Sequence, residues 1–306
     1  MFVHQRRTTT YTDLKDGSCD PQSSDDRDDA MPLFGSRAVQ LLGIRANFPI
    51  CAINGYDGQM VRRIYHLREG EVQEEGMVDL VPVGPGEIFM AQGCFGLQVY
   101  YFATPPGDEG FDGAHLRIED GWDVCDDEEI EEYTQTICAG SDRKFEITYL
   151  VIPDAIEAKV KVRLKLRDLG SGSRTLYGKI KASATDFVNK SIHLFSCERR
   201  RSLSFPSGST SILPLRPFKI AVPCCRQLEL HIEVDLTVIT PCDSQEEKEK
   251  NLKFNLKFTH GIGISIQERD FDNDGVEVSV TLGKYQFDTL YHGRLLRNIN
   301  LIVYTN

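Results

Sequence analysis

Hydrophobic and polar positions alternate with a period of two through the second half of this chain. Between Ile156 and Arg167, the residues Ala158, Val160, Val162, Leu164 and Leu166 share one parity, and Lys159, Lys161, Arg163, Lys165 and Arg167 share the other. That period belongs to a β-strand with one dry and one wet face; a helix would scatter the cations around its circumference. The period returns at 228–239, where Leu228, Leu230, Ile232, Val234 and Leu236 oppose Glu229, His231, Glu233 and Asp235. Opposite charges facing one another across a ladder stabilise strand pairing. The two wet faces therefore predict that 158–167 and 228–236 are neighbours in one sheet, with their charges on the same side. Phe254, Leu256 and Phe258 alternate with Lys253 and Lys257 in the same half-buried manner.

Shorter apolar runs fill the rest, with turn residues between them. Strands are predicted at 39–46, 61–67, 77–83, 87–92 and 97–103, and turns at Asn54-Gly55, Asp57-Gly58 and Gly84-Pro-Gly86. After Lys144–Ile152, Pro153-Asp154 reads as a turn into the strand of 156–167. Further strands are predicted at 176–184, 191–196, 211–213, 218–222, 263–267, 276–282 and 298–304, with Gln245–Lys250 as a polar loop or helical turn. No helical pattern of useful length occurs. The fold class is all-β: antiparallel sheets packed as a sandwich or as two related β-lobes. Weak echoes link the halves. Leu42–Ala46 matches Tyr177–Ala182, Ile64–Leu67 matches Ile192–Phe195, and Leu97–Tyr101 matches Leu228–Ile232.

Composition divides the chain further. Residues 1–36 are polar and read as a disordered tail, because they cannot bury enough surface to offset chain entropy. The first β-lobe is placed at 37–104 and the second at 143–306, with 105–142 as an acidic linker holding one or two helical turns and, at Leu116 and Ile118, a short strand. Residues 1–140 carry 10 Lys+Arg against 26 Asp+Glu, and residues 141–306 carry 25 against 20. The acidic surplus argues against general nucleic-acid binding. No apolar run approaches the roughly 20 residues that span a bilayer, and the first ten residues hold no apolar core of a secretory signal. Nine cysteines without such a signal read as reduced thiols in a cytoplasmic or nuclear protein.

Three features are candidates for contact or chemistry. The cationic parity of the strand, with Lys159, Lys161 and Arg163, offers a binding face. The run Arg199, Arg200 and Arg201 offers an exposed basic loop able to grip phosphate. Trp122, within the acidic stretch, offers an anchor for a basic partner. A fourth signal is Asp270-Phe-Asp272-Asn-Asp274-Gly275, which matches the opening of a calcium loop. Its twelfth position is Thr281 rather than Glu, and its flanks read as strands, so a plain hairpin tip stands beside calcium as a reading. No nucleophile elbow, phosphate loop, dinucleotide fingerprint or zinc-ligand spacing occurs.

The succession of segments resembles a family of grass proteins of unknown function. Lys144–Val162, with its Ile-Glu-Ala-Lys-Val-Lys-Val strand, is similar to that family's Val-Glu-Ala-x-Val-x-Val strand. Leu176–Ala182, Ile192–Phe195, Arg216–Val222 and Leu228–Leu236 are similar to the strands that follow it. The resemblance implies a β-rich domain found alone or fused to ribosome-inactivating domains, which remove an adenine from ribosomal RNA. It carries over no catalytic residue and no cofactor. The pair Glu157-Ala158 is superficially like the catalytic Glu-Ala of those enzymes, but theirs lies on a helix and this pair opens an alternating strand.

The sequence thus reads as a non-enzymatic protein-interaction or accessory module, linked to defence by resemblance. An unidentified protein is the expected partner, and the ribosome enters by family association. The alternatives are a divergent rRNA N-glycosylase, whose mark would be a paired Glu and Arg with stacked tyrosines, and a calcium-dependent sandwich.

Overall fold

The computed structural model of this chain describes residues 35–283, apart from 59, 68–75, 81–87, 91–92, 103–114, 125–127, 141, 168–171, 186, 188–189, 225–227, 242–247, 260–262 and 273. The predicted N-terminal tail and the predicted strand at 298–304 lie outside those residues, except Gly35 and Ser36 of the tail. Eighteen strands follow in chain order: β1 (Ser36–Ala46), β2 (Ile50–Tyr56), β3 (Val61–His66), β4 (Val78–Asp79), β5 (Phe89–Met90), β6 (Cys94–Phe102), β7 (His115–Asp123), β8 (Glu131–Cys138), β9 (Lys144–Lys165), β10 (Ser173–Ala184), β11 (Ile192–Cys197), β12 (Leu203–Pro206), β13 (Thr210–Ile212), β14 (Lys219–Pro223), β15 (Glu229–Thr240), β16 (Lys248–Thr259), β17 (Gly263–Phe271) and β18 (Asp274–Gly283). The protein is all-β, and every pairing among these strands is antiparallel.

β9 is the spine. It runs for 22 residues, and different strands satisfy successive stretches of each edge. One edge takes β1 against 145–155 and β18 against 157–165. The other takes β8 against 144–151, β14 against 155–159 and β13 against 163–165. The expected turn at Pro153-Asp154 is instead part of this strand. Ser36 pairs with Ala155 and Ala38 with Ile152, so Pro153 and Asp154 together oppose only Arg37, as a β-bulge. On the far edge they fall in the gap between β8 and β14. A proline has no N–H to give a ladder, and a bulge is where its loss is tolerated.

Two sandwiches share this spine. The first packs the front half of β9, with β1 and β8, against the sheet β3-β2-β6-β7. Its core holds Phe145, Ile147, Tyr149 and Val151 against Ile53, Phe95, Leu97 and Val99. The second packs the back half of β9, with β18 and β17, against β11-β10-β15-β16. Its core holds Val160, Val162 and Leu164 against Ile180, Leu194, Ile232 and Val234. The strand orders coincide: β1, β2, β3, β6, β7 and β8 occupy in the first the places of β9, β10, β11, β15, β16 and β17 in the second. β9 is therefore the last strand of one sandwich and the first of the next. Two of the three sequence echoes, β3 with β11 and β6 with β15, fall on equivalent strands. The third joins β1 to β10, which are not equivalent.

Several local expectations are corrected. Strands 158–167 and 228–236 lie in different sheets and face one another through their apolar sides. Their charges instead find partners nearer by: Arg163 meets Glu277 at 2.7 Å, Lys253 meets Asp235 at 2.8 Å and Lys257 meets Glu229 at 2.5 Å. The segment read as a linker with helical turns contains β7, which holds the short strand expected at Leu116 and Ile118, and β8, both paired in sheets. Lys248–Lys250, read as loop, opens β16. Gly55 lies inside β2 rather than in a turn, because Phe89 and Ile64 fill the space its Cβ would need, at 2.6 and 2.8 Å. Asp57-Gly58 does turn, with Gly58 at φ 79°.

A buried ion pair joins the two sheets of the second sandwich. The Arg174 guanidinium on β10 donates to both carboxylate oxygens of Asp274 on β18, at 2.7 and 2.8 Å, and its Nε donates to Thr240 Oγ1 at 2.9 Å. Arg174 and Asp274 are 2% and 3% exposed. The Arg167 amide also donates to Asp274 at 2.9 Å, and Lys250 lies 3.3 Å away. Burial alone would raise the Asp274 pKa, but the hydrogen bonds from Arg174 and Arg167 and the charges of Arg174 and Lys250 outweigh it, so the carboxyl titrates below its ordinary value. Removing one partner from such a pair leaves the other charged and buried, at a cost of about 3–5 kcal/mol. Asp274→Ala should lower unfolding stability by that amount in urea, and Arg174→Met with Asp274→Leu should recover most of it. Because the folded pKa lies below the unfolded one, the stability linked to this group is complete above about pH 4 and is lost as the pH falls through the folded value. Urea midpoints measured from pH 5 down to pH 2 should therefore fall more steeply in the wild type than in Asp274→Asn.

Candidate functional site

The sequence-derived candidates fall in separate places. Trp122 on β7 is half-buried; its ring packs against Phe95 at 6.0 Å and Tyr149 at 5.8 Å. It closes the aromatic cluster of the first sandwich instead of standing out as an anchor. Arg199–Arg201 form an exposed single 3₁₀ turn after β11. Arg199 is paired with Glu249 at 2.7 Å, and Arg201 is close enough to Tyr65 on β3 to act on its hydroxyl. Asp270, Asp272 and Asp274 sit at the β17–β18 hairpin end, where Asp272 takes φ 46°. Asp274 is turned inward to Arg174, and Asp272 is turned out, 96% exposed at its side chain. Among the described residues no group of three or more His, Cys, Asp or Glu side chains is arranged to hold a metal ion. Glu157 lies in extended β9, 3.4 Å from Lys219. The stacked tyrosines Tyr133 and Tyr149, 5.5 Å apart, belong to the first core, with Tyr149 buried.

The cationic face of β9 does form a surface, and the register shows what surrounds it. Residues directly opposite one another across a ladder share a face. One row reads Ile264 (β17), Thr281 (β18), Lys159 (β9), Lys219 (β14). The next reads Ile266, Ser279, Lys161, and the third Glu268, Glu277, Arg163, Ile212. At 4.7–4.9 Å between strands, four strands span about 15 Å. The other sheet of this sandwich packs on the opposite side, so this side faces solvent. Ile264, Ile266 and Ile212 are 68%, 58% and 57% exposed.

The cations on this face are not alike. Arg163 is neutralised by Glu277 at 2.7 Å, and Lys165 by Glu268 at 2.5 Å and Glu277 at 3.4 Å. Glu277 is held below the ordinary carboxylate range: burial would raise its pKa, but Lys165 and Arg163 outweigh it. Lys159 makes no ion pair among the described residues, and its ammonium stands 6.0 Å from the Phe218 ring, which Lys219 also approaches at 5.9 Å. Lys161 likewise has no ion pair among the described residues. The open part of the face is therefore Lys159 and Lys161, bordered by Ile264 and Ile266 along the β17 edge and by Phe218 and Lys219 opposite.

Lys159, Lys161 and Arg163 were legible in the sequence as one face. The isoleucines were not, because Ile264-Ser-Ile-Gln reads as core alternation. Their parity continues into Glu268 and Asp270, which is the one sequence signal that Ile264 and Ile266 lie on a wet face.

No curated protein matches this sequence. Two solved structures give partial likenesses. Human GIVD cytosolic phospholipase A2 aligns over 81% of this chain and 33% of its own, with 7% identity and a TM-score of 0.27. A multidomain structure of Extended-Synaptotagmin 2 aligns over 81% of this chain and 57% of its own, with 10% identity and a TM-score of 0.24. This chain thus spans a third of the phospholipase. A family model described as a domain of unknown function, DUF6598, matches residues 117–280. That span opens within β7 and closes within β18, so it holds β8, the spine β9 and nearly all of the second sandwich with its open face. With more than half of its residues matched, the chain belongs to the DUF6598 family.

Proposed function

We propose that this protein is a non-enzymatic interaction module whose contact surface is the open face of the second sandwich. One observation carries the reading. Of the six large hydrophobic side chains exposed among the described residues, three (Ile212, Ile264 and Ile266) gather on this one face, around two lysines without ion pairs. Isolated exposed apolar residues are ordinary on a protein surface, but a group of them beside unpaired charge marks a contact site. The charge complement is acidic, and the isoleucines ask for aliphatic or aromatic side chains. The occupant is therefore a partner-protein segment that carries both. The aliphatic contacts give affinity, and Lys159 and Lys161 give orientation and approach rate. The resemblance to domains fused with ribosome-inactivating enzymes supports an accessory form of this reading, defence-linked, in which another chain carries the chemistry.

The test is capture of partners from a cell extract by the immobilised protein at low and high salt, with the bound segments mapped. Lys159→Glu with Lys161→Glu should weaken capture most at low salt, because charge attraction between exposed groups is screened as salt rises. Ile264→Ser with Ile266→Ser should weaken it at both salts. Neither pair should move unfolding stability by more than about 0.5 kcal/mol, since Lys159, Ile264 and Ile266 are exposed and the half-buried Lys161 makes no ion pair among the described residues. Arg163→Glu should behave differently, placing like charges opposite one another at Glu277 and costing up to about 1 kcal/mol. A partner held equally by wild type and both double variants, or one whose bound segment has no acidic surplus, would overturn the reading.

A further inference from the structure

The sheet β3-β2-β6-β7 turns one side to the first core, through Ile53, Leu97 and Val99. Residues of the opposite parity stand on its outer side. The register sets them out in rows. From β3 to β7 one row reads Val61, Tyr56, Gly96, Gly121, and the next reads Arg63, Asn54, Gln98, Glu119. Tyr56 does not stand up from this side. Its hydroxyl donates to Asp120 O on β7 at 3.4 Å, two strands away from β2. At 4.7–4.9 Å between strands, that reach takes the whole length of the side chain laid along the sheet. The ring crosses Gly96: a Cβ built there would collide with Cζ, Cε1 and the oxygen of Tyr56, and one built on Gly121 would stand 2.6 Å from that oxygen. Only glycine leaves this room at both positions.

One face of the ring thus rests on backbone. No aromatic ring or cation stacks on the other face among the described residues, and Tyr56 is half-buried. Val61, directly beside it and 60% exposed, extends the apolar floor. The adjoining row supplies hydrogen-bonding groups of both senses. Asn54 makes no side-chain hydrogen bond among the described residues. Gln98 is held by long bonds: its Nε2 donates to Glu119 Oε1 at 3.4 Å, and its Oε1 accepts from the Tyr100 hydroxyl at 3.3 Å. Burial, then the charge of Glu119, pushes the Tyr56 phenol up, while Arg117 draws it down, so both of these groups border the ring. They also neutralise one another as an ion pair. That leaves Arg63, out on the β3 edge, as the cation of these rows without an ion pair among the described residues. A phosphate backbone would call for several.

We propose that the outer side of this sheet binds a neutral oligosaccharide, one sugar ring lying on Tyr56 and Val61 and its hydroxyls meeting Asn54, Gln98 and Glu119. A pyranose carries C–H bonds on its flat faces and hydroxyls around its rim. The weakly positive C–H face suits the negative π-face of the phenol ring. Each hydroxyl is both donor and acceptor, as are the amides of Asn54 and Gln98. The absence of net charge in the row that meets the rim fits a ligand without charge. The site lies on the other sandwich from the open face, shares no residue with it and does not rest on it.

The probes are cellohexaose, xylohexaose and mannohexaose, titrated calorimetrically into the full chain at millimolar concentration, with hexauridylate RNA as the charged alternative that could stack on the same ring. At least one saccharide should bind, with an affinity that added salt leaves unchanged, since salt screens only charge. Tyr56→Leu should weaken that binding about tenfold, whereas Tyr56→Phe, which keeps the ring, should retain most of it. Asn54→Ala with Gln98→Ala should also weaken it about tenfold. Two-dimensional NMR spectra report whether each variant is folded; if Tyr56→Leu is not, the Asn54 and Gln98 double variant decides alone. The proposal is overturned if none of the three saccharides binds, if a folded Tyr56→Leu or the double variant binds as the wild type does, or if the RNA binds more tightly than every saccharide, which would assign the ring to base stacking.

Discussion

A strand 22 residues long exposes an unbroken row of amides and carbonyls along each edge, and all of them need partners. No single neighbour of ordinary length can supply them. β9 meets this by changing partners along its length: β1, then β18 on one edge, and β8, then β14, then β13 on the other. The change of partner coincides with the bulge at Pro153-Asp154, where neither edge asks the proline for a hydrogen bond. The rest of the architecture follows. Each half of the spine recruits its own sheet, each pair of sheets closes its own core, and the two cores cannot be separated without cutting a strand.

The duplication has consequences for packing. Over Tyr149–Ile152 of β9 both faces are dry: Tyr149 and Val151 enter the first core, and Leu150 and Ile152 join the second. The second sandwich therefore covers the back of the first, reinforced by the Gln40 bridge to Ala221 and by the ion pair of Lys190 with Glu132. Within the second sandwich, the Arg174–Asp274 pair fixes β10 against β18 at the hairpin end. It is a polar fastening in a place where hydrophobic residues of like volume would serve as well for stability, and its geometry sets which way Asp274 points.

Alternation made the strands legible wherever one face is wet. At 156–167, 228–239 and 252–259 the period of two gave both the element and its buried parity. Where both faces are buried, as at Tyr149–Ile152, the period vanishes into a continuous apolar run, and a proline beside that run looks like its end. Gly55 was read as a turn because sequence carries no sign of the Phe89 ring against it. The pairing of 158–167 with 228–236 was misread for a related reason: charge complementarity tells which strands could be neighbours, but each set had nearer complements in β16 and β18. The calcium signal failed to resolve because Asp274 answers equally to a cation and to an arginine, and Arg174 is 100 residues away in sequence. The three isoleucines of the open face and the bare face of the Tyr56 ring depend on which surfaces stay uncovered, which is a property of the assembled sheets alone.

That last dependence links the fold to the proposed contact. In the first sandwich the outer side of the shared sheet is hidden around Ala38, Leu150 and Ile152, because a second sandwich begins on the same strand and packs back over that end. The second sandwich repeats the strand order but has no described successor. Its outer side, with Lys159, Lys161, Ile264 and Ile266, is the place that the second sandwich covers in the first. Had that side only ever met water, alternation along β17 would place polar residues there, as it does at Glu268 and Asp270. Isoleucines at 264 and 266, flanked by lysines with no ion pair among the described residues, support the proposed contact on this side. A partner segment of complementary charge would do for the second sandwich what the second does for the first.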